Sequence, residues 1–158
     1  MDITQKGLAG EFYALAQLTA RGYNASLTLG NTKGVDILVM NKNNVGFKVE
    51  VKTTTSKPYK MKMFEEWHKN PVYYWLLSKK NEEYIDNLIY CFVYIEEINS
   101  LPKFFIVHSK DVAKYVREQH EYYQNYPRKK PVKDGSMRKF GIEITDPNKY
   151  EDNWSLLD

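Results

Sequence analysis

Apolar residues recur at helical spacing from the start of the chain. Turning about 100° per residue gathers Leu8, Phe12, Leu15, Leu18 and Thr19 onto one stripe, which predicts an amphipathic helix from Ile3 to Arg21 halted by Gly22. Glu11 falls inside that stripe, between Leu15 and Leu18, and so puts a carboxylate on the face that should meet the core. The plainer alternative is an edge position, where the stem packs and the head reaches water. After Gly22 the period drops to two. Asn24 to Leu29 predicts a short strand, Gly30 to Gly34 a loop, and Val35 to Met40 a strand rich in Val and Ile. The tetrad Asn41-Asn44 is a polar turn, and Val45 to Thr53 alternates strictly, which makes residues 35 to 53 a hairpin. Side chains alternate faces along a strand, so Phe47, Val49 and Val51 point one way and Lys48, Glu50 and Lys52 the other. On the first strand Asp36 shares a face with Leu38 and Met40, a lone charge in an apolar run.

Residues Thr54 to Asn70 are polar and basic, bracketed by Pro58 and Pro71, and read as a long loop or short helix. Val72 to Ser78, Leu88 to Ile95 and Lys103 to His108 read as further buried strands. A helix from Lys110 to about Tyr126, begun by Ser109 and Asp111, precedes the basic loop Arg128 to Gly135. Arg138 to Ile144 alternates like an edge strand, and Lys149 to Leu157 predicts a closing helix. The expected fold class is α/β: a single domain, residues 1 to 158, with a central mixed β-sheet flanked by helices.

Length and composition narrow the class. The 158 residues suit one domain, and 42% apolar with 15% aromatic residues can fill its core. One cysteine excludes an intramolecular disulfide or a multi-cysteine zinc site, and Cys91 within a strand reads as a small buried hydrophobe. The start lacks a signal-peptide layout and no apolar run approaches a membrane span, so a cytoplasmic protein without membrane contact is expected. A net charge of +3 permits nucleic-acid binding without demanding it.

The turn sets the hairpin register. A three-residue loop opposes Asn41 to Val45 and therefore Asp36 to Glu50; a four-residue loop would mix charged and apolar residues on both faces. Carboxylates so opposed repel, and a divalent cation is the natural compensation, since two carboxylates with backbone carbonyls and waters form a partial octahedral shell suited to Mg2+. Lys52, on the same face as Glu50, would point at whatever that ion holds. A salt-bridge network of Lys52 with Glu50 and Asp36 is the structural alternative.

Gly10-Glu11 on a first helix, Gly34-Val35-Asp36 opening a strand and Val49-Glu50-Val51-Lys52 on the next resemble the PD-(D/E)xK nuclease superfamily, which includes restriction enzymes and Holliday junction resolvases. The resemblance covers residues 7 to 53 by motif and the remainder by order of elements; Val35 stands where the family name has proline. It implies a restriction-endonuclease-like core and a metal-dependent endonuclease acting on DNA, with RNA not excluded. Asp36 and Glu50 would ligate Mg2+ or Mn2+, Glu11 would assist directly or through water, and Lys52 would contact the nucleophile or phosphate. No nucleotide cofactor is implied. One cluster cuts one strand, so double-strand cleavage would call for a homodimer. The alternative function is a catalytically silent member of the fold that binds DNA or a protein partner in a defence or mobile-element system.

Further DNA contacts are expected from two basic stretches: Lys57, Lys60 and Lys62 after the Glu-x-Lys strand, and Arg128, Lys129, Lys130 and Lys133, beside Arg138 and Lys139 and a helix carrying Tyr115, Tyr122, Tyr123 and Tyr126. The plain reading of the second stretch is a solvated loop. His68, His108 and His120 share no metal-ligand spacing and read as structural or surface residues; the tail around Trp154 and Leu157 reads as capping the core.

Overall fold

The structure is a computed structural model describing residues 1–28 and 34–158; the predicted loop residues 30–33, and Leu29 at the end of the first predicted strand, lie outside the described residues. Helix α1, Ile3–Ala20, opens on a capping box: Gln5 N–H donates to Asp2 Oδ1 (2.8 Å) and Asp2 N–H to Gln5 Oε1 (3.0 Å). It ends before Gly22, whose φ of +85° turns the chain back. The buried face differs from the predicted stripe. Gly10, Ala14 and Leu18 face the sheet, while Leu8, Phe12 and Thr19 are exposed. A Cβ at Gly10 would lie 1.9 Å from Thr53 Oγ1, so the helix approaches the sheet more closely than any larger residue allows, and its small-residue face wins over its most apolar one.

The main sheet has five described strands in the order β1-β2-β3-β5-β6: β1 (Asn24–Leu27), β2 (Ile37–Met40), β3 (Gly46–Thr54), β5 (Leu88–Tyr94) and β6 (Lys103–His108). Only the β3–β5 pairing within it is parallel, which makes the sheet mixed as expected. The hairpin register is that of the three-residue loop: Ile37 pairs with Val49 and Leu38 with Lys48, and Asn41 N–H donates to Val45 O (3.0 Å). Strand β5 is buried along its length, as a central strand should be, with Ile89, Cys91 and Val93 in one core and Leu88, Tyr90, Phe92 and Tyr94 in the other.

Two predicted strands leave the main sheet. β4 (Val72–Ser78) and β7 (Met137–Glu143) pair antiparallel as a second, two-stranded sheet. That ribbon and helix α2 (Ser109–Asn125) pack on the far face of β5 and β6, with Trp75, Phe92, Phe105, Val116 and Phe140 in one cluster. Helix α1 and the tail residues Trp154 and Leu157 cover the other face. The result is a single α/β domain in three layers. The segment between β3 and β5 is thus a crossover that detours through the second sheet. The predicted closing helix from Lys149 is absent apart from one 3-10 turn, Trp154–Leu157, because Asp146, Lys149 and Asp152 all adopt positive φ. Residues 55–71 carry one 3-10 turn, Lys62–Phe64. No helix among the described residues is long and apolar enough to cross a membrane.

Candidate metal and phosphate site

The far-face side chains of β3 carry the candidate chemistry. Burial on both sides forces β3 to choose which residues enter the interior; Val49 and Val51 pack under α1, and Glu50, one position out of phase, is turned toward the second layer and left 3% exposed. A carboxylate so enclosed needs cationic company. Lys52 Nζ stands 2.7 Å from Glu50 Oε1, and Lys80 Nζ 3.6 Å from the same oxygen. Both contacts are ion pairs, and among the described residues no further donor reaches Glu50 Oε1, so that oxygen is met by cations alone.

Asp36 immediately precedes β2 and is pinned there from three directions. Its N–H donates to Val49 O (2.9 Å), its carbonyl accepts from Thr28 N–H (2.9 Å), and its carboxylate Oδ2 accepts from Val51 N–H (2.6 Å). The carboxylate therefore reaches across to β3 beside Glu50. Burial raises its pKa above the ordinary aspartate range and the Glu50 charge adds to the rise, while the Val51 N–H, Lys52 and Lys80 oppose it. Glu11, half-buried at the edge of the α1 face set by Gly10, is also raised, by burial first and then by the Asp36 charge, against Lys52. Glu11, Asp36, Glu50 and Lys52 therefore share one electrostatic neighbourhood. Gly34 completes the rim: at φ +79°, the Cβ it lacks would lie 3.6 Å from Glu50 Oε2 and 3.5 Å from Lys80 Nζ.

This donor set suits a hard divalent cation on two grounds. Glu50 offers a buried oxygen whose partners among the described residues are ammonium groups, which a metal ion can replace, and Asp36 keeps a second oxygen beyond the one its backbone bond engages. No group of three or more His, Cys, Asp or Glu among the described residues is close enough to form a cage. The protein would thus supply Asp36 and Glu50, with water and phosphate oxygens completing the shell, which is how Mg2+ is commonly held. Two residues along the same strands, at Leu38 and Lys48, the sheet face is exposed. A groove of about 630 Å3, lined by Asn24, Ser26, Leu38, Met40, Lys48 and Asn87, runs along β1 to β3, and Leu38 and Met40, which share the face of Asp36, are exposed there.

The predicted DNA contacts fare unequally. Lys57, Lys60 and Lys62 are exposed after β3, as are Lys129, Lys130 and Lys133 in the basic loop. Arg128 is engaged elsewhere: it lies over the Tyr123 ring at 4.6 Å and donates to the carbonyls of Tyr123 and Tyr126, closing the C-terminus of α2. Arg138 is buried in ion pairs with Glu82 and Asp134 and ties β7 to the turn after β4. The histidines are structural: His68 pairs with Tyr115 OH (2.9 Å), His120 with Asp134 (3.0 Å), and His108 caps α2. Lys80 was hidden to sequence reasoning, because only the crossover brings a lysine of the charged turn 79–86, between β4 and β5, to Glu50.

The whole architecture is similar to that of a solved bacterial homing endonuclease, I-Ssp6803I, with a TM-score of 0.59 over 99% of this chain and 93% of that one, at 15% sequence identity. At that identity the likeness speaks for the fold alone. No protein-family model matches the chain, and no curated protein sequence matches it significantly.

Proposed function

We propose that the protein is a metal-dependent endonuclease of the PD-(D/E)xK type, hydrolysing phosphodiester bonds in DNA. The observation that carries this reading is the buried Glu50, one oxygen met by ammonium groups alone among the described residues, beside the pinned Asp36 and on the same strand face as Lys52. Mg2+ or Mn2+ held by Asp36 and Glu50 would supply Lewis-acid polarisation of the phosphate. The residues themselves do the rest. Glu11, whose carboxyl burial makes more basic than an ordinary glutamate, would accept a proton from the attacking water. Lys52 orients that water or the phosphate and balances charge. A water oxygen bonds to phosphorus, the bond from phosphorus to the 3′ oxygen breaks, and that oxygen leaves as a hydroxyl after taking up a proton. The open β1 to β3 face and the exposed lysines at 57, 60, 62, 129, 130 and 133 offer the duplex its approach. The likeness of the fold to a homing endonuclease is in keeping with DNA as substrate. Cleavage of both strands would require a homodimer; an α2 or edge-strand contact would serve.

The engagement of Glu50 by lysines favours one other reading, a silent fold in which the ion pairs are merely structural. Two measurements decide. Millimolar Mg2+ or Mn2+ should raise the melting temperature of the wild type, because a ligand specific for the folded state stabilises it by mass action, and Asp36→Asn should abolish the rise. Supercoiled plasmid should be nicked with Mg2+ and not with EDTA. Absence of both effects sinks the nuclease and leaves the silent fold.

A further inference from the structure

Strand β3 itself brings one ammonium to Glu50, that of Lys52, and a second comes from outside the hairpin. Lys80 comes from the 3-10 turn Lys79–Glu82, at the far end of β4, so it belongs to the second sheet and not to the hairpin that carries the motif. Its backbone is held in place. Ser78 and Asn81 form a capping box around the turn, Asn81 is buried, and its amide donates to Tyr90 OH (2.8 Å); Tyr90 is the β5 residue paired with Glu50. The turn is therefore clamped onto the strand neighbouring Glu50, while the Lys80 side chain itself stays 56% exposed. Its ammonium stands at the mouth of the site, 3.6 Å from Glu50 Oε1 and in the space left open by Gly34.

Charge supports a role beyond balance. Glu11, Asp36 and Glu50 set against Lys52 and Lys80 leave one negative charge in excess, and a divalent cation would turn that into one positive, the sign a phosphate requires. Lys52 alone already contacts Glu50 at 2.7 Å, so Lys80 is not needed to neutralise it. Being solvent-exposed and on a flexible stem, Lys80 is able to swing from Glu50 to an incoming anion once a metal takes the carboxylate.

We propose that Lys80 is a second phosphate-contacting lysine of the site, delivered by the β3 to β5 crossover, which guards the Glu50 carboxylate before the metal binds and grips a non-bridging oxygen of the scissile phosphate afterwards. This rests on the endonuclease reading above. Two consequences are separable. Removing a cation 3.6 Å from a metal ligand should tighten metal binding in the absence of DNA, and removing a fixed positive donor from the phosphate should slow the chemical step by about 100-fold or more.

The test compares wild type with Lys80→Met, Lys80→Arg and, as a control for bulk charge, Lys114→Met on the exposed face of α2. Mn2+ affinity is titrated calorimetrically without DNA, and single-turnover nicking of supercoiled plasmid is followed at saturating Mg2+. Lys80→Met should bind Mn2+ several-fold more tightly and nick about 100-fold more slowly, Lys80→Arg should recover part of the rate, and Lys114→Met should match wild type in both. Wild-type Mn2+ affinity and rate in Lys80→Met overturn the role of Lys80 while the nuclease stands. Slow nicking in Lys114→Met to the same extent also overturns it, since any surface charge would then suffice. A wild type that neither binds Mn2+ nor nicks DNA overturns both readings together.

Discussion

At the scale of single residues the site is costly to fold. Asp36 and Glu11 both carry carboxyl pKa values raised mainly by burial, so the folded chain holds their protons more firmly than the unfolded chain does. Where the native state binds the extra proton, stability falls as pH rises, beginning at the ordinary aspartate value of 3.8 and continuing through the raised folded value. Asp36→Asn keeps an oxygen that can accept from Val51 N–H but cannot ionise. In metal-free buffer its melting temperature should therefore match wild type near about pH 3 and exceed it at neutral pH. A scan of both proteins across this range checks it, and a constant gap would mean that ionisation of Asp36 is not the cause. The exchange of stability for function at a site is a general pattern, and the cation would return what the carboxylates lose.

At the scale of elements, two glycines of α1 give opposite expectations. Gly7 has nothing within 4 Å of the Cβ it lacks, so Gly7→Ala should raise stability by about 0.5 to 1 kcal/mol through helix propensity alone. Gly10→Ala gains the same propensity but drives a methyl to 1.9 Å from Thr53 Oγ1 and to 3.0 Å from Thr53 Cβ. Overpacking of that kind costs about 1 to 3 kcal/mol, which exceeds the gain. Urea denaturation should therefore move the two midpoints in opposite directions. Gly10→Ala should also weaken Mn2+ affinity, because lifting α1 from β3 carries Glu11 away from Asp36, whereas Gly7→Ala should leave it unchanged.

Across the whole molecule the basic residues divide into those that hold the fold together and those open to meet a polyanion. Arg128 closes α2 through the Tyr123 and Tyr126 carbonyls, and Arg138 is buried between Glu82 and Asp134. Lys129, Lys130 and Lys133 are exposed. Joint replacement of these three lysines by alanine should weaken DNA affinity and flatten its salt dependence, by about 0.9 in the logarithmic slope for each phosphate no longer neutralised, with the melting temperature unchanged. Arg128→Ala should do the reverse, lowering the melting temperature while leaving the salt slope nearly intact. Gel shifts at two salt concentrations beside thermal melts read out both. If the triple variant binds like wild type, the loop is a solvated surface and DNA is met instead by Lys57, Lys60 and Lys62.

What was legible in the sequence is what local periodicity governs. The α1 helix, the alternation of β3 and the hairpin register follow from spacing, because a one-residue slip would have sent Val49 and Val51 to the wrong face. That register is enough to bring Asp36 beside Glu50, and so most of the candidate site could be named before any fold was known. The tertiary structure decided what depends on distant partners. Which face of α1 is buried was set by how closely Gly10 meets Thr53, an approach that no helical wheel contains. Whether β4 and β7 join the main sheet was settled by their pairing with each other over the β5 and β6 face. The tail, apolar enough to suggest a helix, was instead turned by three positive φ angles so that Trp154 and Leu157 could seal the first core. Lys80 follows the same rule: a lysine in a charged turn is anonymous in sequence, and only the crossover through the second sheet sets its ammonium against Glu50.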